Sequence, residues 1–364
     1  TMTERPEIVT VLEPEDEYTH EPDVASNYNE SMYLNGFDLD QGLGAWFRLG
    51  NRVNEGYAEM SVCLYLPDGR VGFMFGRPKI EHNDAMHAGG LEIAVVAPFE
   101  HLTIAYEGKV VVLDEPEQMT NPREAFRKNP MVECRVQLDV RGVSPMYGGK
   151  PMYADGTEIE TDAQNSFAKA HYEQHTRVTG TIEVGDEAWE MNGLGLRDKS
   201  WGPRYWQALS WYRWTPMIFD EGFALMLSII GQPDGNAARR SGMVLEGDEY
   251  HHIVDCRIES EYDELHHQTR MQMWAKSETG KEYEISGRVN ALIPLRNRRK
   301  DSEGNELFTR ITEAMTTFEC VHDGVIKTGM GMTEYLDQVV DGVPIGPDYD
   351  GGVACLLYTS DAAD

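Results

Sequence analysis

The sequence predicts an all-β protein built from two antiparallel β-barrel domains packed side by side. Two observations carry this. Segments with period-two alternation of apolar and polar residues recur about every 8–12 residues, each bounded by a turn signal. They fall into two runs of about eight, a number that closes a small barrel, on either side of a stretch rich in Gly, Pro, Asp and Thr at residues 143–165.

Residues 1–30 are polar and acidic, with little periodicity, and predict an extended arm. Met60, Val62, Leu64 and Leu66 then alternate with Glu59, Ser61, Cys63 and Tyr65. Pro67-Asp68-Gly69 turns the chain, and Val71, Phe73 and Phe75 resume the pattern as a hairpin. Further strands are expected at 91–96, 102–106, 110–113 and 132–140. A short helical piece is expected at Asp162–His171. After the linker come strands at 177–184 and 188–196, then 223–230, 242–245, 250–259, 268–276, 282–291, 312–322 and 325–335. Arg296–Asn305 is expected as a basic loop. The expected domains are residues 31–160 and 161–354, the second carrying Asp198 and Trp201. Residues 355–364 resemble a translated sequencing adapter from a metagenomic read and are set apart as a non-native tail.

Composition narrows the partners. The chain has 364 residues, with 32 basic against 62 acidic side chains and a net charge of −30. Such acidity disfavours nucleic acid and anionic membrane surfaces. No apolar run reaches the roughly 18 residues of a membrane-spanning helix. No signal pattern opens the chain, so a cytoplasmic location is the expectation. The five cysteines form no Cys-x-x-Cys pair, which suggests neither a disulfide framework nor a zinc site.

The densest chemical signal is Gly193-Leu-Gly-Leu-Arg-Asp-Lys-Ser-Trp-Gly-Pro-Arg-Tyr-Trp-Gln-Ala-Leu-Ser-Trp-Tyr-Arg-Trp214. Four of the seven tryptophans, Trp201, Trp206, Trp211 and Trp214, lie here around a single carboxylate, Asp198. One reading is an aromatic box with Asp198 in its wall. The other is a Trp-rich core strand in which Arg197, Arg204 or Arg213 pairs with Asp198. Strand alternation turns Arg197 away from the Asp198 face. His171, Glu173 and His175 also alternate, so they share one strand face. Their spacing is not the helical zinc motif, and no metal is expected.

Gly195-Leu-Arg-Asp-Lys-Ser-Trp-Gly-Pro-Arg204, with His171-Tyr-Glu-Gln-His-Thr-Arg-Val-Thr-Gly180 before it, resembles the carotenoid hydratase (hydroxyneurosporene synthase) and AttH-like superfamily. Gly329-Met-Gly-Met-Thr-Glu-Tyr335 is similar to a closing strand of related sequences. The resemblance implies two lipocalin-like domains. Relatives often carry His where this chain has Lys199.

Hydrating an isolated alkene needs a proton donor and a surface that stabilises a carbocation. A desolvated carboxylic acid can supply the first. Aromatic faces supply the second. The expected function is therefore a cofactor-independent hydratase or dehydratase, or a related isomerase or cyclase, acting on a terpenoid or other apolar alkene or alcohol. Asp198, Glu334 and His175 are the expected catalytic residues. Trp201, Tyr205, Trp206, Trp211, Trp214, His171 and Arg204 are expected around the substrate. No Gly-x-Gly-x-x-Gly or Gly-x-Ser-x-Gly motif suggests a nucleotide cofactor or a serine hydrolase. The alternative is a non-catalytic carrier holding a hydrophobic ligand inside a barrel.

Overall fold

The computed structural model describes residues 7–160, 168–205, 209–231, 237–300 and 303–346. Trp206, the tail at 355–364 and most of the expected helix at 162–171 lie outside them. His171 itself belongs to a strand.

In chain order the first ten strands are β1 (Ile8–Val11), β2 (Tyr28–Asp38), β3 (Leu43–Arg52), β4 (Tyr57–Tyr65), β5 (Val71–Gly76), β6 (His87–Ala88), β7 (Leu91–Ala97), β8 (His101–Leu113), β9 (Met131–Gly142) and β10 (Tyr147–Tyr153). They are followed by β11 (Ala170–Val184), β12 (Glu187–Pro203), β13 (Trp211–Asp220), β14 (Phe223–Ile230), β15 (Arg239–Glu246) and β16 (Glu249–Tyr262). The last five are β17 (Gln268–Ser277), β18 (Glu282–Lys300), β19 (Glu306–His322), β20 (Val325–Val340) and β21 (Val343–Pro344). One short helix, α1 (Pro122–Lys128), sits between β8 and β9.

Two antiparallel rings result. In the first, β11, β12, β2, β3, β4, β5, β8 and β9 follow one another, and β9 pairs back onto β11. In the second, β13 to β20 are neighbours in sequence order and β20 pairs back onto β13. Closure leaves no open edge within either ring. The expected pair of lipocalin-like domains is what forms.

The boundary is not where the linker composition places it. β11 and β12 hydrogen-bond to β9 and β2, so they complete the first ring. The sheets divide after Pro203, not near residue 160. The Asp198 motif therefore belongs to the first barrel, a correction to its expected placement in the second. A second difference lies at 296–300. This segment is strand, paired with β19 as far as Lys300 opposite Glu306. Its basic side chains hid the strand pattern.

Alternation explains the packing. Met32, Leu34, Phe47, Leu49, Val62 and Leu64 point into the first barrel and fill it. Met217, Phe223, Leu225, Ile258, Ile285 and Phe318 do the same in the second. The opposite face of β2, β3 and β4 is not left to solvent. Tyr33, Trp46, Cys63 and Tyr65 pack against Met315, Met330 and Met332 of the second barrel. The two rings thus meet through the outer faces of their sheets.

The N-terminal arm is folded down rather than free. A 3-10 turn at Pro14–Glu17 places the Glu17 carboxylate against Arg197, at 2.5 and 2.9 Å. Lys199 pairs with Glu30 at 3.0 Å and donates to the carbonyls of Asp16 and Tyr18. These charges are buried, and each is paired, as burial requires.

Candidate active site

The site is built where β11 and β12 present their outer faces to the second barrel. Asp198 and Glu173 are directly opposite partners, and so are Ser200 and His171. Cross-strand partners share a face, so these four side chains stand together. On the next strand, β2, Asp198 faces Tyr33. Gly195 makes this approach possible: a Cβ there would lie 1.8 Å from the Asn35 carbonyl oxygen. The glycine that opens the motif is therefore a packing requirement.

From the second barrel, β13 and β20 bring Trp214 opposite Glu334, and β19 brings Glu313 opposite Glu334. The Trp214 ring meets Tyr33 edge-on at 5.6 Å between centroids. The Trp214 side chain also lies beside the Glu173 carboxyl. The Tyr212 hydroxyl donates to Glu334. The His171 side chain is 47% exposed and Asp198 21% exposed, while Glu173 between them is 1% exposed. Exposure thus falls from His171 at the rim of the seam between the barrels, called the recess below, to Glu173 inside it.

Electrostatics follow from the burial. Desolvation raises the Glu173 carboxyl to about 7. For His171, burial disfavours the charged ring, but the facing carboxyls of Asp198 and Glu173 outweigh it and lift the pKa to about 9. The His171 Nε2 is 3.6 Å from Asp198 and 3.8 Å from Glu173. Burial lowers His175 to about 3, so its ring is neutral. Its Nδ1 is 2.7 Å from the Tyr250 hydroxyl, which in turn is 2.6 Å from Ser144 Oγ. Burial, aided by the nearby charge of Arg48, lowers Arg204 to about 9. Glu173 Oε1, His175 Nε2 and Glu313 Oε2 are buried without a hydrogen-bond partner.

Ligand atoms of His171, Glu173 and Asp198 lie within 4.8 Å of one another, near enough to hold an ion. An imidazolium has no lone pair to offer a metal. At neutral pH the trio is a charge-paired cluster. A second trio, Glu246, His322 and Asp323, sits at the turn end of the second barrel, where Lys281 already pairs with Glu246 at 2.8 Å.

Several expected residues come together here: Asp198, His171, Glu334 and Trp214. Arg204 lies behind them, 2.7 Å from Ser200 Oγ, and His175 stands at the edge. Others do not join. Trp201 is on the opposite face of β12 from Asp198, because three residues along a strand reverse the side. It stacks on His20 of the arm at 4.0 Å and is buried there. Trp211 turns into the second barrel and packs beside Arg213. Tyr205 is 40% exposed. Of the three arginines expected as rivals for Asp198, Arg197 holds Glu17 and Arg213 holds Asp337 at 3.1 and 3.2 Å, while Arg204 does interact electrostatically with Asp198. Sequence reasoning missed Glu173 as a site acid, although the alternation placed it on the face of His171. It also missed Tyr33, Tyr212 and Glu313, which no local pattern marks.

Solved structures share this architecture at low identity. CghA in complex with Sch210972 matches over 86% of this chain and 89% of its own, at 10% identity and a TM-score of 0.52. A candidate AttH from Nitrosomonas europaea matches over 91% and 98%, at 15% identity and 0.52. Kievitone hydratase from Nectria haematococca matches over 86% and 90%, at 9% identity and 0.52. The likeness bears out, in the fold, the resemblance to the AttH-like superfamily. No curated protein sequence matches the chain. Residues 13–339 match the family described as Domain of unknown function (DUF7064), and the chain belongs to that family.

Proposed function

We propose that the protein is a hydratase or dehydratase that needs no organic cofactor and acts on an apolar alkene or alcohol, such as a terpenoid, in the recess between the barrels. The observation that carries this reading is the meeting of Asp198, Glu173 and His171 with Trp214, Tyr33 and Glu334 across that recess. Two fold relatives lend it support: one is named a hydratase, and another is described with the small molecule Sch210972 bound.

The chemistry is proton transfer in both directions. An acid protonates one alkene carbon, whose π pair becomes the new C–H bond. The adjacent carbon is left as a cation, which the faces of Trp214 and Tyr33 stabilise by about 0.5–2 kcal/mol each. A water lone pair closes onto that carbon, and the water gives its extra proton to a carboxylate. Dehydration runs the same steps backwards. Asp198 is the carboxylate placed for proton exchange. Glu173, raised to about 7, is poised to hold or release a proton near neutral pH. His171 keeps the two carboxyls together.

The test is turnover in isotopically labelled water with a panel of terpene alkenes and tertiary or allylic alcohols. Label in the product, lost in Asp198→Asn, is the expected result. Equal turnover by that variant would overturn the assignment. A carrier with the ligand inside a barrel would have to displace the apolar side chains that cluster in both interiors.

A further inference from the structure

We infer that Glu313 and Glu334 share one proton and form the acid of the site, Glu313 carrying that proton at rest and the more exposed Glu334 relaying it to the substrate. This deepens the hydratase reading and rests on it for its substrate, but not for its test.

The argument starts from register. Glu313 and Glu334 are opposite partners on β19 and β20, on the face turned toward the first barrel. Like charges directly opposite are unfavourable. Here the two stand directly opposed at a seam that buries Glu313 and half-buries Glu334, where both cannot ionise without cost. One proton between them gives one carboxyl a hydrogen to donate to the other and removes the repulsion. Tyr212 also donates to Glu334. Glu334 thus accepts twice and carries the charge, and Glu313 carries the proton. Glu313 is 6% exposed, while Glu334 is half-buried at the recess.

Of the groups facing the pair, Arg48 draws both carboxyls down, and burial outweighs it. Arg48 is the nearby cation, and it is bonded to Glu59 at 2.9 Å. Asp198 adds negative charge from the first barrel. The remaining neighbours are the phenols of Tyr33 and Tyr65 and the thiol of Cys63. Tyr65 donates to the Glu313 backbone carbonyl, not to its carboxyl. Burial and the Glu334 charge push Glu313 well above the carboxylate range, and burial also raises Glu334. In the reaction the shared proton moves to the alkene carbon and leaves both carboxylates ionised. The proton released by the attacking water, taken up at Asp198, restores the balance when it returns to the pair.

Infrared spectroscopy of the whole protein tests this without a substrate. Just above the Glu173 transition near pH 7, a protonated-carboxyl C=O band that Glu173 no longer supplies is expected in the wild type and absent in Glu313→Gln. No such band in the wild type, or a band that survives the substitution, overturns the proposal. Should Glu313→Gln not fold, carboxyl-13C glutamate NMR of the unaltered protein is the alternative. Two coupled carboxyls of which one holds its proton well above the ordinary carboxylate range are expected, and two carboxyls that both ionise within that range overturn the proposal. Where turnover is found, Glu313→Gln should move the basic limb of the pH–rate profile down by about one unit or more. An unmoved limb also overturns it. Failure to find any turnover bears only on the hydratase reading, since the spectra stand alone.

Discussion

Glu173 and Asp198 face each other as direct partners on β11 and β12, and His171 Nε2 lies within 4 Å of both carboxyls. Two acids placed opposite would repel, and the half-exposed imidazolium is what makes the pairing tolerable. The same arrangement gives the site a neutral acid, a carboxylate and a cation within one small patch of sheet.

Asp198→Asn removes one of the two anions that hold His171 charged. The His171 pKa should fall from about 9 toward the ordinary imidazole value. Turnover should drop by about 10²–10⁴, the usual weight of a positioned acid or base. Imidazole NMR titration reads the first effect and product analysis the second. An unchanged His171 titration would show that the contact seen here does not govern its charge.

Glu173→Gln should stabilise the protein at alkaline pH. The folded carboxyl keeps its proton up to about pH 7, whereas an ordinary glutamate gives it up near 4.5. The folded state therefore binds more protons across that window, and stability falls as pH rises through it. Glutamine removes the penalty, a gain on the order of 2–3 kcal/mol above pH 7 for so buried a group. His171, also raised, contributes stability that is full below about 6.5 and lost as pH rises through about 9. Urea denaturation from pH 4 to 10 should thus show the lower slope abolished in Glu173→Gln and the upper one reduced but still present, since Asp198 remains beside His171.

How much of this was legible in the sequence depends on the range of the interaction. Period-two alternation and turn chemistry are local, so β4, the Pro67-Asp68-Gly69 turn and β5 could be read directly. The side of β12 on which Arg197 lies was legible for the same reason. Ring closure is not local. β9 finds β11 across β10, and nothing in the Gly- and Pro-rich stretch between them announces that the first barrel is unfinished. The aromatic cluster misled for a related reason. Trp201, Trp211 and Trp214 are close in sequence, yet strand alternation and the change of barrel send them to three environments. Glu313 reaches the site only through the meeting of two barrels, which no spacing encodes.

Glu17→Gln should release the arm. The change leaves the Arg197 guanidinium, 1% exposed, without a paired anion. Breaking one partner of a buried pair costs about 3–5 kcal/mol. Arg197 holds Glu17 below the usual carboxylate range against the opposing effect of burial. This contribution is therefore complete above the ordinary glutamate pKa and lost as pH falls through the depressed value. Limited proteolysis should cut the first 20 or so residues sooner in the variant, and in the wild type only under acid.

Trp201→Ala and Trp214→Ala should separate the two faces of the motif. Trp214 touches Tyr33 and Glu173 in the recess, so its loss removes one cation-stabilising face and should lower turnover roughly 2–30-fold, matching about 0.5–2 kcal/mol. Trp201 lies under the arm between His20, Tyr172 and the Lys199 ammonium. Its loss opens a cavity in a packed cluster and should cost about 3–5 kcal/mol of stability. Turnover per folded molecule should stay near wild type, because Trp201 stands on the far side of β12 from Asp198. The discriminating measurement is kcat normalised to the folded fraction, alongside denaturation midpoints. A Trp201→Ala protein that folds normally but loses turnover would place Trp201 in the chemistry and contradict the two-faced geometry of this strand.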